Sequence, residues 1–360
     1  MEIAQWRLHN QHIAQQTSTN PCEVVTWLGA VQAQDFAAAK WAVGLRMQGA
    51  TDDALEQACD KGELLRTHVL RPTWHFVAPA DIRWMLELTA PRVNAFNAYY
   101  YRKNNLDEAV FAQSNAVLRQ ALQGGKQLTR PELVAALQRA GITADDPLRF
   151  TLIVMRAELD AVICSGARRG KQFTYALLDE RAPQAATLPR DEALSELTRR
   201  YFTSHGPATA QDFIWWSGLA GADVKRGLEL VATHLQHETI TGQTYWFAAS
   251  TPPAHQTAPM VYLLPNYDEY SVGYTDRSAI MDPAHADEQN ARNNSVMSNI
   301  IVLNGQVVGF WKRELKRDTV IITARFFAQP TATDMRAFGS AANRYGAFLG
   351  KSVVIASQTL

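Results

Sequence analysis

The chain has 360 residues, 47% of them hydrophobic and 19% charged, a globular composition that excludes disorder and suits roughly two to four compact units. Lys plus Arg and Asp plus Glu stand at 35 each, so no overall basic charge recruits phosphate, and a nucleic-acid partner would need a local basic face. The three cysteines, Cys22, Cys59 and Cys164, are odd in number and far apart, which excludes a disulfide scaffold and a zinc site.

Taken in chain order, residues 3–14 and 23–31 read as helices, with Asn20-Pro21 as a start signal. Residues 64–77 are β-rich about the turn Arg71-Pro72. A second block follows: helix 110–122, the stop Gly124-Gly125, then Thr129-Arg130-Pro131-Glu132 as N-cap, first-turn proline and capping glutamate. Its next helix spans 148–159, and 161–164 with 172–175 flank a turn, Gly166 to Lys171, that carries Arg168, Arg169 and Lys171. The third block repeats the order. A helix over 193–203 is broken by His205-Gly206-Pro207, and Thr209 with Asp212 opens the next. A helix over 223–235 and two β-prone runs about Gly242 complete it. This helix–helix–helix–hairpin repeat predicts an α+β chain of about three tandem winged helix-turn-helix repeats, at 1–105, 106–188 and 189–250.

Beyond the Pro-rich stretch 251–259, read as a linker, the texture changes. β-branched and aromatic runs at 261–264, 300–303, 307–311 and 320–327 precede a helix over 334–349 and a strand over 352–356. Asn304-Gly305 is a strong type I′ hairpin signal. The expectation is a separate, mostly antiparallel β domain over 251–360, with the hairpin tip, Asn304 and Gln306, projecting far enough to meet DNA or else serving the fold alone.

Two glutamines, Gln32 and Gln34, follow the apolar stretch Leu28 to Val31. In a helix such a pair would point about 200° apart, so both serve one site only at a helix end or turn. Asp35 beside them reads as the N-cap of the next helix rather than a general base.

The stretch Leu28-Gly29-Ala30-Val31-Gln32-Ala33-Gln34-Asp35-Phe36, with Ala39-Lys40-Trp41-Ala42-Val43-Gly44-Leu45-Arg46, resembles the signature of AlkZ-type DNA glycosylases. Two further stretches are similar to that family in the same order. They are Leu65-Arg66-Thr67 through Arg71-Pro72-Thr73-Trp74-His75-Phe76-Val77, and Leu263-Leu264-Pro265-Asn266-Tyr267-Asp268-Glu269-Tyr270 with Gly273 to Arg277. The resemblance implies tandem winged helices with a β-rich C-terminal domain. It also implies catalysis by Gln, an apolar residue, then Gln, which makes Gln32 and Gln34 the residues that hold the attacking water.

Two amides suffice for that chemistry. An N7-alkylated purine already carries positive charge and departs neutral without an acid. What remains is to place water at C1′ and favour an oxocarbenium-like transition state. The resemblance therefore implies a monofunctional glycosylase acting on bulky or crosslinked N7-alkylpurines in double-stranded DNA, with no metal or cofactor.

Around that centre, Arg71 and His75 are candidates to line the DNA channel, His75 being equally consistent with a hydrogen-bonded structural histidine. Arg168, Arg169 and Lys171, and Lys312, Arg313, Lys316 and Arg317, are candidate phosphate contacts. Asp268-Glu269 and Arg277 are expected to form a buried ion pair. With no apolar signal core in the first residues and no membrane-length run, a soluble cytoplasmic monomer is expected. A non-enzymatic winged-helix regulator of DNA is the rival reading, since no strong acid, base or nucleophile constellation is present.

Overall fold

The structure is a computed structural model and describes residues 2–249, 258–285 and 298–357. The expected linker lies, over 251–257, outside the described residues. In chain order, α1 (Ile3–Asn10), α2 (Pro21–Leu28), β1 (Val31–Gln32), α3 (Phe36–Gly44) and α4 (Asp52–Lys61) lead into β2 (Leu65–His68), β3 (Trp74–Val77) and α5 (Ile82–Lys103). Next come α6 (Glu108–Leu122), β4 (Leu128–Thr129), α7 (Arg130–Arg139), α8 (Pro147–Leu159), β5 (Ile163–Ser165), β6 (Thr174–Leu177) and α9 (Leu178–Arg181). They are followed by α10 (Arg190–Ser204), α11 (Ala210–Ser217), α12 (Gly221–Val231), β7 (Leu235–Ile240) and β8 (Gln243–Ala248). The last stretch holds β9 (Val261–Leu264), α13 (Glu269–Val272), β10 (Ile300–Leu303), β11 (Gln306–Leu315), β12 (Thr319–Phe326), α14 (Ala332–Leu349) and β13 (Ser352–Ser357).

These elements form two compact units, each built from separated stretches of chain. One comprises Met1–Glu56, Arg199–Trp216 and Val231–Leu360; the other comprises Gln57–Thr198 and Ser217–Leu230.

In the second unit the sequence signals act where they stand. Asp107 caps α6 by accepting from Val110 N at 2.9 Å. The helix stops at Gln123, and the Glu180 carboxylate accepts from the N–H groups of Gly124 and Gly125 at 2.9 and 2.6 Å. Thr129 and Glu132 close a capping box on α7, and Asp146 caps α8 through Arg149 N at 2.7 Å. Phe111, Leu118 and Leu122 of α6, Leu133 and Leu137 of α7, and Phe150, Ile153 and Val154 of α8 recur at helical spacing and share one core. Each such side chain contributes about 1.5–3 kcal/mol by leaving water. Strands β5 and β6 pair as Ile163↔Leu177, Cys164↔Ala176 and Ser165↔Tyr175, and β4 joins the other edge of β6. Cys164 is wholly buried, and burial pushes its thiol up to about 12, which makes it an inert apolar filler.

The first unit is organised by the sheet β13-β12-β11-β10-β9, antiparallel except for the parallel pair β12–β13. Expected as a separate domain, this sheet shares its compact unit with Met1–Glu56. Trp41 of α3 shows why. Its indole N–H donates to Leu263 O of β9 at 2.7 Å, and its ring lies 5.0 Å from both Tyr345 and Phe348 of α14. Gly44 permits that approach, because a Cβ there would stand 2.6 Å from the Phe348 ring. The β10–β11 turn has φ of 48° at Asn304 and 88° at Gly305, the two positive values a type I′ turn requires. Thr241 and Gly242 do the same between β7 and β8. Among the described residues no helix is long and apolar enough to cross a membrane, and no cluster of three or more His, Cys, Asp or Glu side chains could hold a metal.

Candidate active site

Helix α2 starts at Pro21, with the Asn20 side chain accepting from Cys22 N at 2.8 Å. It ends at Leu28, because Gly29 turns the chain with φ 82°. The helix therefore stops three residues before Val31, and the polar pair falls in the link between two helices, where Val31–Gln32 is extended as β1. The strand ends at Gln32 and the chain bends at Gln34, so neither glutamine is helical and the helical objection to a joint role does not apply. Val31 and Ala33 are buried, Gln32 is 7% exposed and Gln34 is exposed. Asp35 caps α3, its carboxylate accepting from Ala38 N at 3.1 Å and from Asn266 Nδ2 at 3.4 Å.

Behind Gln32 lies a polar network buried in the same unit. The Gln32 backbone N–H donates to Glu269 Oε1 at 2.8 Å. The other oxygen, Oε2, accepts from the Trp216 indole N–H at 2.8 Å and stands 3.3 Å from His205 Nε2. His205 Nδ1 in turn lies 2.8 Å from Ser204 Oγ. Burial, outweighing the hydrogen bond to Glu269, holds the His205 pKa below its ordinary value, so the ring is neutral at pH 7. One residue earlier, Asp268 takes both N–H groups of Arg46 at 2.8 Å each, and Arg46 also donates to Gln11 Oε1 at 2.8 Å. Gln11 Nε2 continues to the Tyr274 hydroxyl at 3.0 Å, which donates to His205 O at 2.7 Å. Burial raises the Tyr274 and Tyr201 hydroxyls, which keeps both as neutral donors. The network thus fixes the backbone of the Gln segment from below.

The structure corrects the expected pairing of Asp268-Glu269 with Arg277. Asp268 pairs with Arg46, Glu269 turns to Gln32, Trp216 and His205, and Arg277 Nε donates to Ser271 O at 2.8 Å. It also corrects the projecting hairpin. Gln5 Nε2 donates to Asn304 O at 2.6 Å, Tyr270 OH donates to Gly305 O at 2.9 Å, and Asn304 Oδ1 accepts from Met260 N at 2.9 Å. A Cβ on Gly305 would meet Ala4 Cβ at 2.9 Å, and Gln306 Nε2 donates to Ala279 O at 3.0 Å. The tip is seated on α1 and β9, so the turn is fold-bearing.

His75 is 0% exposed within β3, with Nδ1 2.9 Å from Thr73 O, the structural of its two readings. Arg71 is half-buried in the β2–β3 loop. At the β5–β6 turn Arg169 is bound to Glu132 at 2.7 Å and to Gln127 O at 2.8 Å, while Arg168 lies 5.3 Å over the Phe173 ring. Lys171 is exposed. In the other unit Lys312 is exposed and Arg313 lies 5.8 Å over Tyr345. Lys316 and Arg317 are exposed, with Lys316 paired to Glu314. Two groups escaped the sequence reading. Glu269 was assigned the wrong partner, and Arg66, 9% exposed between the Trp74 and Phe173 rings at 4.3 and 4.7 Å, carried no signal beyond its place among aromatic residues.

Comparison with known proteins bears on the family and the fold. Residues 25–348 match the family described as "DNA glycosylase AlkZ-like". The "Interstrand DNA cross-link repair glycosylase" of Streptomyces sahachiroi is 24% identical over 324 residues, 86% of this chain and 87% of the relative. The solved "Streptomyces sahachiroi DNA glycosylase AlkZ" superposes with a TM-score of 0.80 at 21% identity, covering 99% of this chain and 98% of that one. The chain has that protein's mixed α+β fold, and an enzyme is favoured over a non-catalytic regulator. It belongs to the AlkZ-like family of DNA glycosylases.

Proposed function

We propose that this glycosylase hydrolyses the N-glycosidic bond of N7-alkylated purines in double-stranded DNA, bulky and crosslinked ones included, through Gln32 and Gln34. The observation that carries this reading is the Gln-Ala-Gln segment itself, placed in the non-helical link between α2 and α3 with Gln32 N anchored on buried Glu269. The C1′–N9 electron pair leaves with the base and cancels the formal charge of the alkylated ring. A water held by the two amides adds to C1′ and releases its proton to solvent. No acid is needed for a leaving group that departs neutral, and the amide oxygens favour the sugar cation. Crosslinked substrates are supported by the name of the Streptomyces sahachiroi relative.

The helix-rich segments 1–105, 106–188 and 189–250 are tandem winged helices in this reading. The order α6, β4, α7, α8, β5, β6 supports it best, since two further helices and a hairpin follow the first helix. Exposed Lys171 and Lys312 are the foremost phosphate contacts, with Arg168, Arg169 and Arg313 held by neighbours. The enzyme works as a cytoplasmic monomer. Incubation with duplex containing N7-methylguanine, followed by alkaline cleavage, tests the proposal. Strand breaks at the lesion are expected. Binding without breaks on both monoadduct and crosslinked duplex would overturn it.

A further inference from the structure

We infer that Glu269 is a positioning residue for the reaction, acting through the main chain of Gln32; this rests on the assignment of Gln32 to catalysis. The carboxylate is wholly buried and set at the first residue of the short helix α13, whose N-cap, Asp268, is locked by Arg46. Its two oxygens face different donors: Oε1 takes the Gln32 N–H and Oε2 the Trp216 indole N–H, both at 2.8 Å. Both acceptors are thus required at once, and only a carboxylate supplies them on a side chain of this length. An amide of the same shape presents NH2 to one of the two donors, and the strand or the indole must then withdraw. A shift of a few tenths of an ångström in β1 moves the amide that orients water at C1′, and catalysis depends steeply on such placement.

The test is single-turnover excision of N7-methylguanine at saturating enzyme, together with the DNA Kd and the Tm, for Glu269→Gln and Glu269→Asp. The second variant keeps both oxygens but is one methylene short. Excision should fall roughly 10- to 100-fold in each while Kd stays within about twofold, a split that lost stability alone does not produce. Adding Trp216→Phe to Glu269→Gln removes the competing donor, so the amide oxygen can return to Gln32 N–H. The double variant should then excise faster than Glu269→Gln. Wild-type excision in whichever single variant folds overturns the inference, and so does equal loss of rate and affinity. Gln32→Ala separates the two levels. If it is inactive while Glu269→Gln is normal, only the positioning role falls; if it is active, the catalytic assignment itself falls.

A second observation stands apart from the Gln segment. Helix α5 exposes Phe96, Tyr99 and Tyr100, which are 67%, 59% and 43% exposed, with the two tyrosine rings edge to face at 5.4 Å. Arg92, Phe96, Tyr99 and Lys103 fall at i, i+4, i+7 and i+11 on one face, Arg102 is exposed beside them, and no acidic residue occurs between Leu88 and Leu106. Solvated aromatics flanked by cations on a stretch of helix without acidic residues fit the stacked bases and phosphates of DNA with unpaired nucleotides. We propose that this face binds such DNA. All of these side chains are exposed, so Phe96→Ala/Tyr99→Ala should keep its Tm yet bind a single-stranded oligonucleotide about 10-fold more weakly. Arg102→Ala/Lys103→Ala should instead flatten the salt dependence by about one to two counterions. Unchanged DNA affinity overturns the proposal, as does a change in oligomeric state in its place, which would assign the face to a second copy of the chain.

Discussion

At the scale of single residues, the buried pair Arg46–Asp268 is the sharpest test of how the site is held. Both side chains are fully buried and joined by two bonds of 2.8 Å. Removing one partner of such a pair strands the other charge away from water, which costs about 3–5 kcal/mol. Asp268→Asn should therefore lower the unfolding free energy from urea denaturation by that amount, and a loss under about 1 kcal/mol would show that the pair is not required. This is also where the sequence was least legible. Residue types disclosed the buried acids, but Arg46 lies 222 positions from Asp268, and no local pattern says which segment will lie alongside. Asp35 was legible because a cap acts on its own helix, three residues away.

At the scale of elements, turns and caps read well for the same reason: their partners are near in sequence. Asn304-Gly305 dictated its own turn, whereas its seat on α1 depends on Ala4 and Gln5, some 300 residues earlier. Local chemistry fixed the hairpin, and tertiary packing decided its role. The capping box on α7 gives a pH prediction. Glu132 is held down to about 2, first by the Thr129 backbone N–H and then by Arg169. Its pKa is depressed in the fold, so the stabilisation is complete above the ordinary 4.5 and is lost as pH falls toward 2. Glu132→Gln should lower Tm at pH 7, with the gap from wild type closing between about pH 4.5 and 2. A gap independent of pH would contradict the capping role. At the β5–β6 turn, charge reversal of Arg168, Arg169 and Lys171 should weaken DNA binding equally across sequences and reduce its salt slope. A changed sequence preference in binding assays would contradict backbone contact there.

For the whole molecule, zero net charge and a buried polar network make stability and binding respond to conditions in separate ways. His12, pushed to about 4 chiefly by burial and then by Arg46, and His205, lowered by burial, both stay neutral in the fold. The unfolded chain takes up protons at these sites near pH 6.5, so Tm should fall as pH drops from about 6.5 toward 4. His205→Gln should flatten that descent, and an unaltered profile would exclude the residue as a contributor. The α+β composition and the antiparallel majority of the C-terminal strands were legible from strand runs and turn residues; the strand order was not. The interleaving of the two units was not, because alternation and periodicity describe faces and say nothing of which distant face covers them. The central claim is that two neutral amides, on a segment fixed from below, carry the hydrolysis. Its most direct test is the single-turnover excision rate of Gln32→Ala/Gln34→Ala on N7-methylguanine duplex, measured beside its DNA affinity. The account predicts a rate lower by about 10- to 1000-fold or more at nearly unchanged affinity, and excision at the wild-type rate would contradict it.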